Sequence, residues 1–183
     1  FVKAVMVSAF FFFLPPMAGV AALVLAALLS ACMGGSTALF EDEAKPEWKE
    51  GALELPPLPF EKDLIPFHVS SNASAAFYVD GRSLRLGDDG IVRFTLLVRA
   101  AGGAENLSYE GMRCETAERK LYAIGRGKSE WVLPRAAEWQ RISDNSLNRQ
   151  YAVLAKEFFC PPGAILPTRD EILGLLRSAA PVR

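Results

Sequence analysis

The fold class is decided by the stretch Ile91-Val92-Arg93-Phe94-Thr95-Leu96-Leu97-Val98-Arg99. Apolar side chains at positions 92, 94, 96 and 98 alternate with the polar side chains of Arg93, Thr95 and Arg99. A period of two is the period of a β-strand, and β-branched and aromatic residues fit the pleated surface of a sheet. The stretch therefore predicts a strand with one apolar and one polar face.

Turn signals and further short strands surround this central strand. Asp80-Gly81, Asp89-Gly90 and Ala101-Gly102-Gly103 are typical of hairpin turns, because glycine accepts the positive φ that such turns need. The other predicted strands are Leu64–Ser70, Ala75–Asp80, Leu84–Leu86, Asn106–Cys114, Glu118–Gly125 and Ser129–Leu133. Together they predict an antiparallel sheet of five to six strands.

The last fifty residues change from strand to helix spacing. The apolar stripe of the first predicted helix comprises Leu147, Tyr151, Leu154, Ala155 and Phe158. Ser146 or Asp144 is expected to cap its start, and Pro161-Pro162 to end it. A second helix is predicted from Thr168, where Glu171 three residues later completes a capping box. Strands followed by two helices predict an α+β domain.

The amino-terminal region carries the features of an export signal. The chain has no charged residue from Ala4 to Met33, and the stretch contains Leu29-Ser30-Ala31-Cys32. This ending resembles the bacterial lipobox, which implies cleavage after Ala31 and acylation of Cys32, for example with palmitate. We therefore predict a lipoprotein signal peptide over residues 1–31. The alternative is an uncleaved transmembrane anchor with a chance cysteine.

The predicted lipid fixes the location that we expect for the chain. Two or three acyl chains hold a protein stably on a membrane, whereas one holds it only marginally. Met33 follows the cysteine, and the absence of an Asp there favours the inner leaflet of the outer membrane, facing the periplasm.

A tether is predicted between the lipid and the domain. Residues 32–60 contain flexible Gly34-Gly35-Ser36-Thr37 and stiff Pro56-Pro57-Leu58-Pro59. Phe40, Trp48 and Phe60 are available to dock part of this stretch on the domain or on a partner. Residues 61–183 are predicted to form a single α+β domain.

The two remaining cysteines predict a disulfide. Cys114 and Cys160 are an even pair, and an oxidising compartment favours their pairing. A redox or metal site is the alternative, but the chain has no C-x-x-C motif, and its one histidine, His68, is far away in sequence.

Charge and catalytic residue types exclude several classes of function. The chain has 20 Lys and Arg against 21 Asp and Glu, which argues against a general nucleic-acid binder. His68 lies inside a predicted strand with no evident Ser or Cys partner. Gly125-Arg126-Gly127-Lys128-Ser129 resembles the end of a phosphate loop, but Tyr122 stands where that loop requires glycine. We predict no catalytic residue, no metal site and no cofactor.

One concentration of polar and aromatic residues is a candidate binding face. It lies on neighbouring predicted strands and comprises Tyr109, Glu110, Arg113, Lys120, Tyr122 and Arg126. Such a face could bind an anionic glycan, a lipid headgroup or an acidic protein partner. The alternative is an ordinary solvated sheet face.

Several short motifs resemble one protein family. They are Tyr109-Glu110-Gly111-Met112-Arg113-Cys114, Arg119-Lys120-Leu121-Tyr122-Ala123, Asn148-Arg149-Gln150 and Phe158-Phe159-Cys160. This order resembles the cryptic neisserial protein-like family of proteobacteria, over about residues 46–161. The family is described mainly as uncharacterised secreted or lipid-anchored proteins. The resemblance therefore implies export and supplies no reaction, cofactor or catalytic residue.

These observations predict a non-enzymatic, lipid-anchored envelope protein that binds or scaffolds another envelope component. The alternatives are a small hydrolase of envelope glycans or lipids, with Glu110 or His68 transferring the proton, and a purely structural spacer. A buried Glu110 in a deep pocket would favour the hydrolase. A shallow, exposed face carrying Arg113 and Lys120 would favour the binding module.

Overall fold

The computed structural model describes residues 47–127, 130–145, 147–163 and 166–180. The predicted signal peptide, the lipidation site Cys32 and the first half of the predicted tether lie outside these residues. The described part contains an antiparallel sheet followed by two helices, so the α+β prediction is confirmed.

Among the described residues, the sheet has eight strands, which occupy six positions across its width. They are β1 (Leu64–Phe67), β2 (Ala75–Asp80), β3 (Arg85–Leu86), β4 (Ile91–Ala100), β5 (Glu105–Arg113), β6 (Glu118–Arg126), β7 (Glu130–Val132) and β8 (Gln140–Arg141). The order across the sheet is β1-β2-β4-β5-β6-β7. Strand β3 pairs with β4 on the edge that β2 also uses, and β8 pairs with β6 on the edge that β7 uses.

The strand predictions hold with small differences, and the turns at Asp89-Gly90 and Ala101-Gly102-Gly103 are confirmed. The prediction of a hairpin turn at Asp80-Gly81 was wrong, because β2 and β3 pair with β4 and not with each other. Gly90 and Gly103 have φ of 75° and 84°, which explains the glycine at both turns. Strand β1 ends at Phe67 rather than at residue 70, and His68 is exposed after its end. β1 is an edge strand, which is where Pro66 is tolerated. Strand β8 was not predicted, because two polar residues carry no strand signal.

The helical region begins later than predicted. Helix α1 spans Arg149–Val153 and continues as a π-helical turn over Leu154–Phe159. Leu147 was placed in the apolar stripe, but it is 82% exposed. The Asn145 side chain accepts hydrogen bonds from the N–H groups of Leu147 and Asn148 in a turn that precedes the helix.

The capping predictions for the two helices have different outcomes. Asp144 forms an ion pair with Lys156 instead of capping α1, and Ser146 lies outside the described residues. Helix α2 spans Arg169–Ser178, and its predicted capping box between Thr168 and Glu171 is confirmed.

The main core lies between one face of the sheet and the helical region. It includes Phe94, Leu96 and Met112 from the sheet and Phe159 and Leu176 from the helical region, all at most 1% exposed. Phe94 and Phe159 pack with ring centroids 4.9 Å apart. The predicted Cys114–Cys160 disulfide is confirmed, and it joins the end of β5 to the residue after the π-helical turn.

The opposite face of the sheet is buried as well. Arg93, Thr95 and Tyr109 are 7%, 0% and 0% exposed, although alternation predicted a polar, solvated side. The residues that lie over this face include Trp48–Pro59, which we call the covering segment. This segment was predicted as tether, with Trp48 available to dock on the domain, and Trp48 does contact Arg113 and Asp89. In the structure the compact unit begins at Trp48 rather than at residue 61, because the segment contacts the sheet.

Within the described ranges, no helix has the length and apolar character needed to cross a bilayer.

Candidate functional site

The candidate site is the sheet face under the covering segment, which we call the covered face. It is built from β5, β6, β7 and the residues before β8, and carries Arg113, Lys120, Tyr109, Tyr122, Trp131 and Trp139. Tyr109 lies 5.9 Å from Tyr122 and 6.2 Å from Trp131 between ring centroids. A Cβ atom at Gly111 would lie 2.6 Å from the Tyr122 ring, so glycine is needed there for Tyr122 to lie across β5.

Glu50 of the covering segment lies in a recess formed by the Lys120 ammonium and the rings of Tyr122 and Trp139. Lys120 Nζ and Trp139 Nε1 donate to Glu50 Oε2 at 2.8 and 3.3 Å. The Lys120 ammonium also lies 5.5 Å from the Tyr122 ring centroid and 5.6 Å from that of Trp139. Burial acts to raise the pKa of Glu50, but interactions with Lys120, Tyr122 and Trp139 together lower the pKa. The recess therefore favours an ionised carboxylate.

Trp48 is held by three neighbours at the other end of the covered face. The Arg113 guanidinium lies 3.9 Å from the centroid of the Trp48 ring, which is a close cation–π contact. The Trp139 ring meets it edge-on at 6.0 Å, and Trp48 Nε1 donates to the carbonyl oxygen of Asp89 at 2.9 Å. A cation–π contact of this kind contributes about 0.5–2 kcal/mol.

Asp89 connects the covering segment to a buried ion pair. Its carboxylate accepts two hydrogen bonds from Arg93, at 3.0 and 2.6 Å, and both side chains are under 10% exposed. The same carboxylate accepts the N–H groups of Gly51, at 2.8 Å, and Ile91, at 3.1 Å. Burial acts to raise the pKa of Asp89, but these four hydrogen bonds and the Arg93 charge lower it to about 2.

Trp131 holds the proline-rich part of the covering segment. Its indole Nε1 donates to the carbonyl oxygen of Pro56 at 2.7 Å. Pro56 is buried, whereas residues 51–55 are all exposed. Glu54 adds an exposed ion pair with Arg85 at 3.1 Å. The segment is thus held by separated anchors and not by continuous burial.

Glu110 lies on the opposite face of the sheet from Tyr109, among the core residues. Neighbouring residues of a strand point to opposite faces, so grouping Glu110 with Tyr109 on one binding face was wrong. Its Oε1 accepts hydrogen bonds from Ser108, at 2.6 Å, and from Tyr151 of α1, at 3.0 Å. Arg119 lies 3.6 Å from Oε2. Burial raises the pKa of Glu110 against the lowering effects of these neighbours.

The structure brings together four of the six predicted face residues. Tyr109, Arg113, Lys120 and Tyr122 share the covered face, and Arg126 lies at the solvent-exposed end of β6, 3.9 Å from Glu130. The prediction missed Glu50, Asp89, Trp131 and Trp139 as parts of the site. Trp131 and Trp139 could have been suspected, because a tryptophan usually finds a partner for its N–H group when it is buried.

Neither predicted criterion is fully met. The face that carries Arg113 and Lys120 is covered rather than exposed, with these side chains 17% and 18% exposed. The criterion for a hydrolase is only half met. Glu110 is buried, but at 1% exposure its carboxylate is out of reach of a soluble substrate. A cavity of about 400 Å³ lies beside the disulfide, and its charged lining residues are Asp89, Arg113 and Glu115. Asp89 pairs with Arg93, and Arg113 pairs with Glu115 and contacts Trp48. In the part of the chain that the structure describes, no three His, Cys, Asp or Glu residues are grouped as metal ligands.

Comparison with known proteins assigns the chain to a family. Residues 43–177 match the model of the CNP1-like family. The chain belongs to the CNP1-like family. It is 30% identical to "Cryptic neisserial protein 1" of Neisseria gonorrhoeae (strain ATCC 700825 / FA 1090), and the alignment covers 76% of each chain. No solved structure matches the chain.

The family match confirms the resemblance read from the sequence motifs. The matched range begins at residue 43, so the covering segment belongs to the part of the chain shared by CNP1-like proteins. Neither the family description nor the name of the gonococcal relative states a reaction.

Proposed function

We propose that this CNP1-like protein is a lipid-anchored binding module of the bacterial envelope, and that the covered face is its binding surface. The observation that carries the proposal is the way this face holds the covering segment. Three side chains of the face each bind a different chemical group of the segment. Lys120 binds a carboxylate, Arg113 an aromatic ring and Trp131 a backbone carbonyl.

The residue types of the covered face are those that protein interfaces use for their strongest contacts. Tryptophan, tyrosine and arginine are enriched among the few side chains that carry most of the binding energy. On the covered face, two tryptophans, two tyrosines, Arg113 and Lys120 lie together over three neighbouring strands and the residues before β8. Their charged groups are engaged in contacts with the covering segment, Lys120 with the Glu50 carboxylate and Arg113 with the Trp48 ring, so the arrangement supports recognition better than hydrolysis.

The periplasmic location is supported by two separate features. The Cys114–Cys160 disulfide is of a kind that persists in oxidising compartments. The uncharged stretch that ends in Leu29-Ser30-Ala31-Cys32 supports export and lipidation. Met33 after the cysteine supports transfer to the inner leaflet of the outer membrane.

The anchor is tested by the intact mass of protein extracted from membranes. We expect a chain that begins at Cys32 and carries acyl groups, because cleavage after Ala31 and acylation belong to one pathway. The control is Cys32→Ala, which should lack the acyl mass. A wild-type chain with an unmodified Cys32 sulfur would remove the anchor from the proposal.

The binding surface is tested by crosslinking in intact cells. A photoreactive amino acid at Glu138, which is exposed beside Trp139, should capture a discrete envelope component. The matched control places the same group at Asn72, exposed in the turn between β1 and β2 at the far edge of the sheet. Equal capture from both positions, or from neither, would argue against a binding role for the covered face.

A further inference from the structure

We propose that the covered face is a groove for extended acidic, proline-containing peptides of partner proteins, and that Trp48–Pro59 occupies it as an intramolecular competitor. This inference rests on the proposed function and specifies its ligand class and its regulation. The ligand is defined by the chemistry of the covering segment: an aromatic ring, a carboxylate two residues later and a proline carbonyl six residues after that.

The groove contains one recognition point for each of these three groups. The Arg113 guanidinium stacks on the ring of Trp48 at 3.9 Å. Lys120 and Trp139 converge on the Glu50 carboxylate at 2.8 and 3.3 Å. Trp131 donates to the carbonyl oxygen of Pro56 at 2.7 Å. Domains that bind proline-rich peptides dock them in aromatic-lined grooves in the same way, because a pre-extended chain loses little entropy on binding.

The covering segment is bound as a ligand would be and not as an element of the sheet. No residue from Trp48 to Pro59 is in a strand, and no backbone-to-backbone hydrogen bond of these described residues joins them to the sheet. Residues 51–55 are exposed, with Leu53 and Leu55 each 40% exposed. Because the stretch between the anchors is exposed, opening the segment requires mainly the release of its side-chain anchors.

The floor of the groove retains its own partners when the covering segment leaves. Asp89 keeps its double hydrogen bond with Arg93, and Arg113 keeps its ion pair with Glu115 at 3.1 Å. Among the described residues, the hydrogen-bond acceptors for Lys120 Nζ and for the Trp131 N–H are both in the covering segment. An opened groove is therefore preformed and still needs a carboxylate and a carbonyl oxygen, which selects an acidic peptide.

Competition from the covering segment sets the apparent affinity for a partner. A segment joined to its site by a short linker acts at an effective concentration on the order of millimolar. The apparent affinity of a partner peptide then equals its affinity for the open groove multiplied by the fraction of molecules in which the groove is open. Weakening the anchors of the covering segment should strengthen the binding of a peptide supplied from outside.

The experiment measures binding of a fluorescent synthetic peptide of residues 47–59 to the detergent-solubilised full chain by anisotropy. The released variant carries Trp48→Ala and Glu50→Gln, and we expect it to bind at least about ten-fold more tightly than wild type. Lys120→Ala added to the released variant should reverse the gain. A control peptide with the same two changes, at positions 48 and 50, should not bind.

Three results would overturn the inference. In the first, the released variant keeps its circular dichroism spectrum and disulfide but binds the peptide no better than wild type. Because a double change can disturb folding, Glu50→Gln alone is measured as well. The second result is that this folded single variant binds the peptide with the same affinity as wild type. In the third result, the released variant forms dimers in the absence of peptide, which would assign the groove to a second copy of this chain. In each of these three cases, capture of a partner from position 138 would leave the proposed function standing.

Discussion

Replacing both Cys114 and Cys160 by alanine should lower the free energy of unfolding by about 4 kcal/mol. The two cysteines are 46 residues apart, so the disulfide removes many conformations from the unfolded chain. The enclosed loop contains β6, β7, β8 and α1. The loop therefore includes Lys120 on β6, Trp131 on β7 and Trp139 just before β8.

The measurement is urea unfolding of wild type under oxidising and reducing conditions, beside the double alanine variant. Reduced wild type keeps both sulfur atoms, which are partly buried against the core. Comparing it with the double alanine variant therefore separates the effect of the covalent crosslink from the effect of lost side-chain packing. We expect the reduced wild type to show most of the loss and the double variant slightly more. Equal unfolding midpoints for the oxidised and reduced chains would contradict the prediction.

The strands were predictable because their local patterns agree with the fold. In β4 the apolar side chains at 92, 94 and 96 face the main core as alternation predicts, and β2 has the predicted bounds Ala75–Asp80. The capping box at Thr168 was also readable, because a cap is formed by residues three positions apart. Interactions within a few residues of each other leave their signal in the sequence.

The covered face could not be predicted from alternation alone. Arg93 and Thr95 have the polar character of a solvated face, yet both are buried. Asp89, the partner of Arg93, accepts a hydrogen bond from the N–H of Gly51, 38 positions earlier in the chain. The covering segment has too few apolar residues and too many prolines to indicate a place in a folded core. Only the three-dimensional arrangement shows that Glu50 and Lys120 are partners across 70 residues.

The first helix shows a second limit of periodicity. The N–H of Cys160 bonds to the carbonyl of Ala155, five residues earlier, so the chain is wound more widely than an α-helix there. This winding buries the consecutive residues Phe158 and Phe159, at 4% and 0% exposure. A period of 3.6 residues places consecutive side chains about 100° apart, and so it predicted only the first of them.

Changing Asp89 to asparagine should lower the free energy of unfolding at pH 7 by about 3 kcal/mol, because removing one member of a buried ion pair leaves the other uncompensated. Arg93 is 7% exposed and would lose its counter-charge. An asparagine side chain also has one acceptor oxygen for the four hydrogen bonds that the carboxylate now accepts. The N–H of Gly51 is among these donors, so the covering segment should open more easily as well.

The pH dependence of unfolding gives this prediction a second, independent test. The pKa of Asp89 is lowered from 3.8 to about 2 on folding, so its ionised form stabilises the protein fully only above the unfolded value. That contribution is lost as the pH falls from about 5 through 2, and the difference between wild type and Asp89→Asn should shrink over this range. The matched control is Asp88→Asn at the neighbouring exposed position, which should stay within about 0.5 kcal/mol of wild type. An equally large loss in Asp88→Asn would assign the effect to the turn, and a pH-independent difference for Asp89→Asn would show that the ion pair with Arg93 does not carry it.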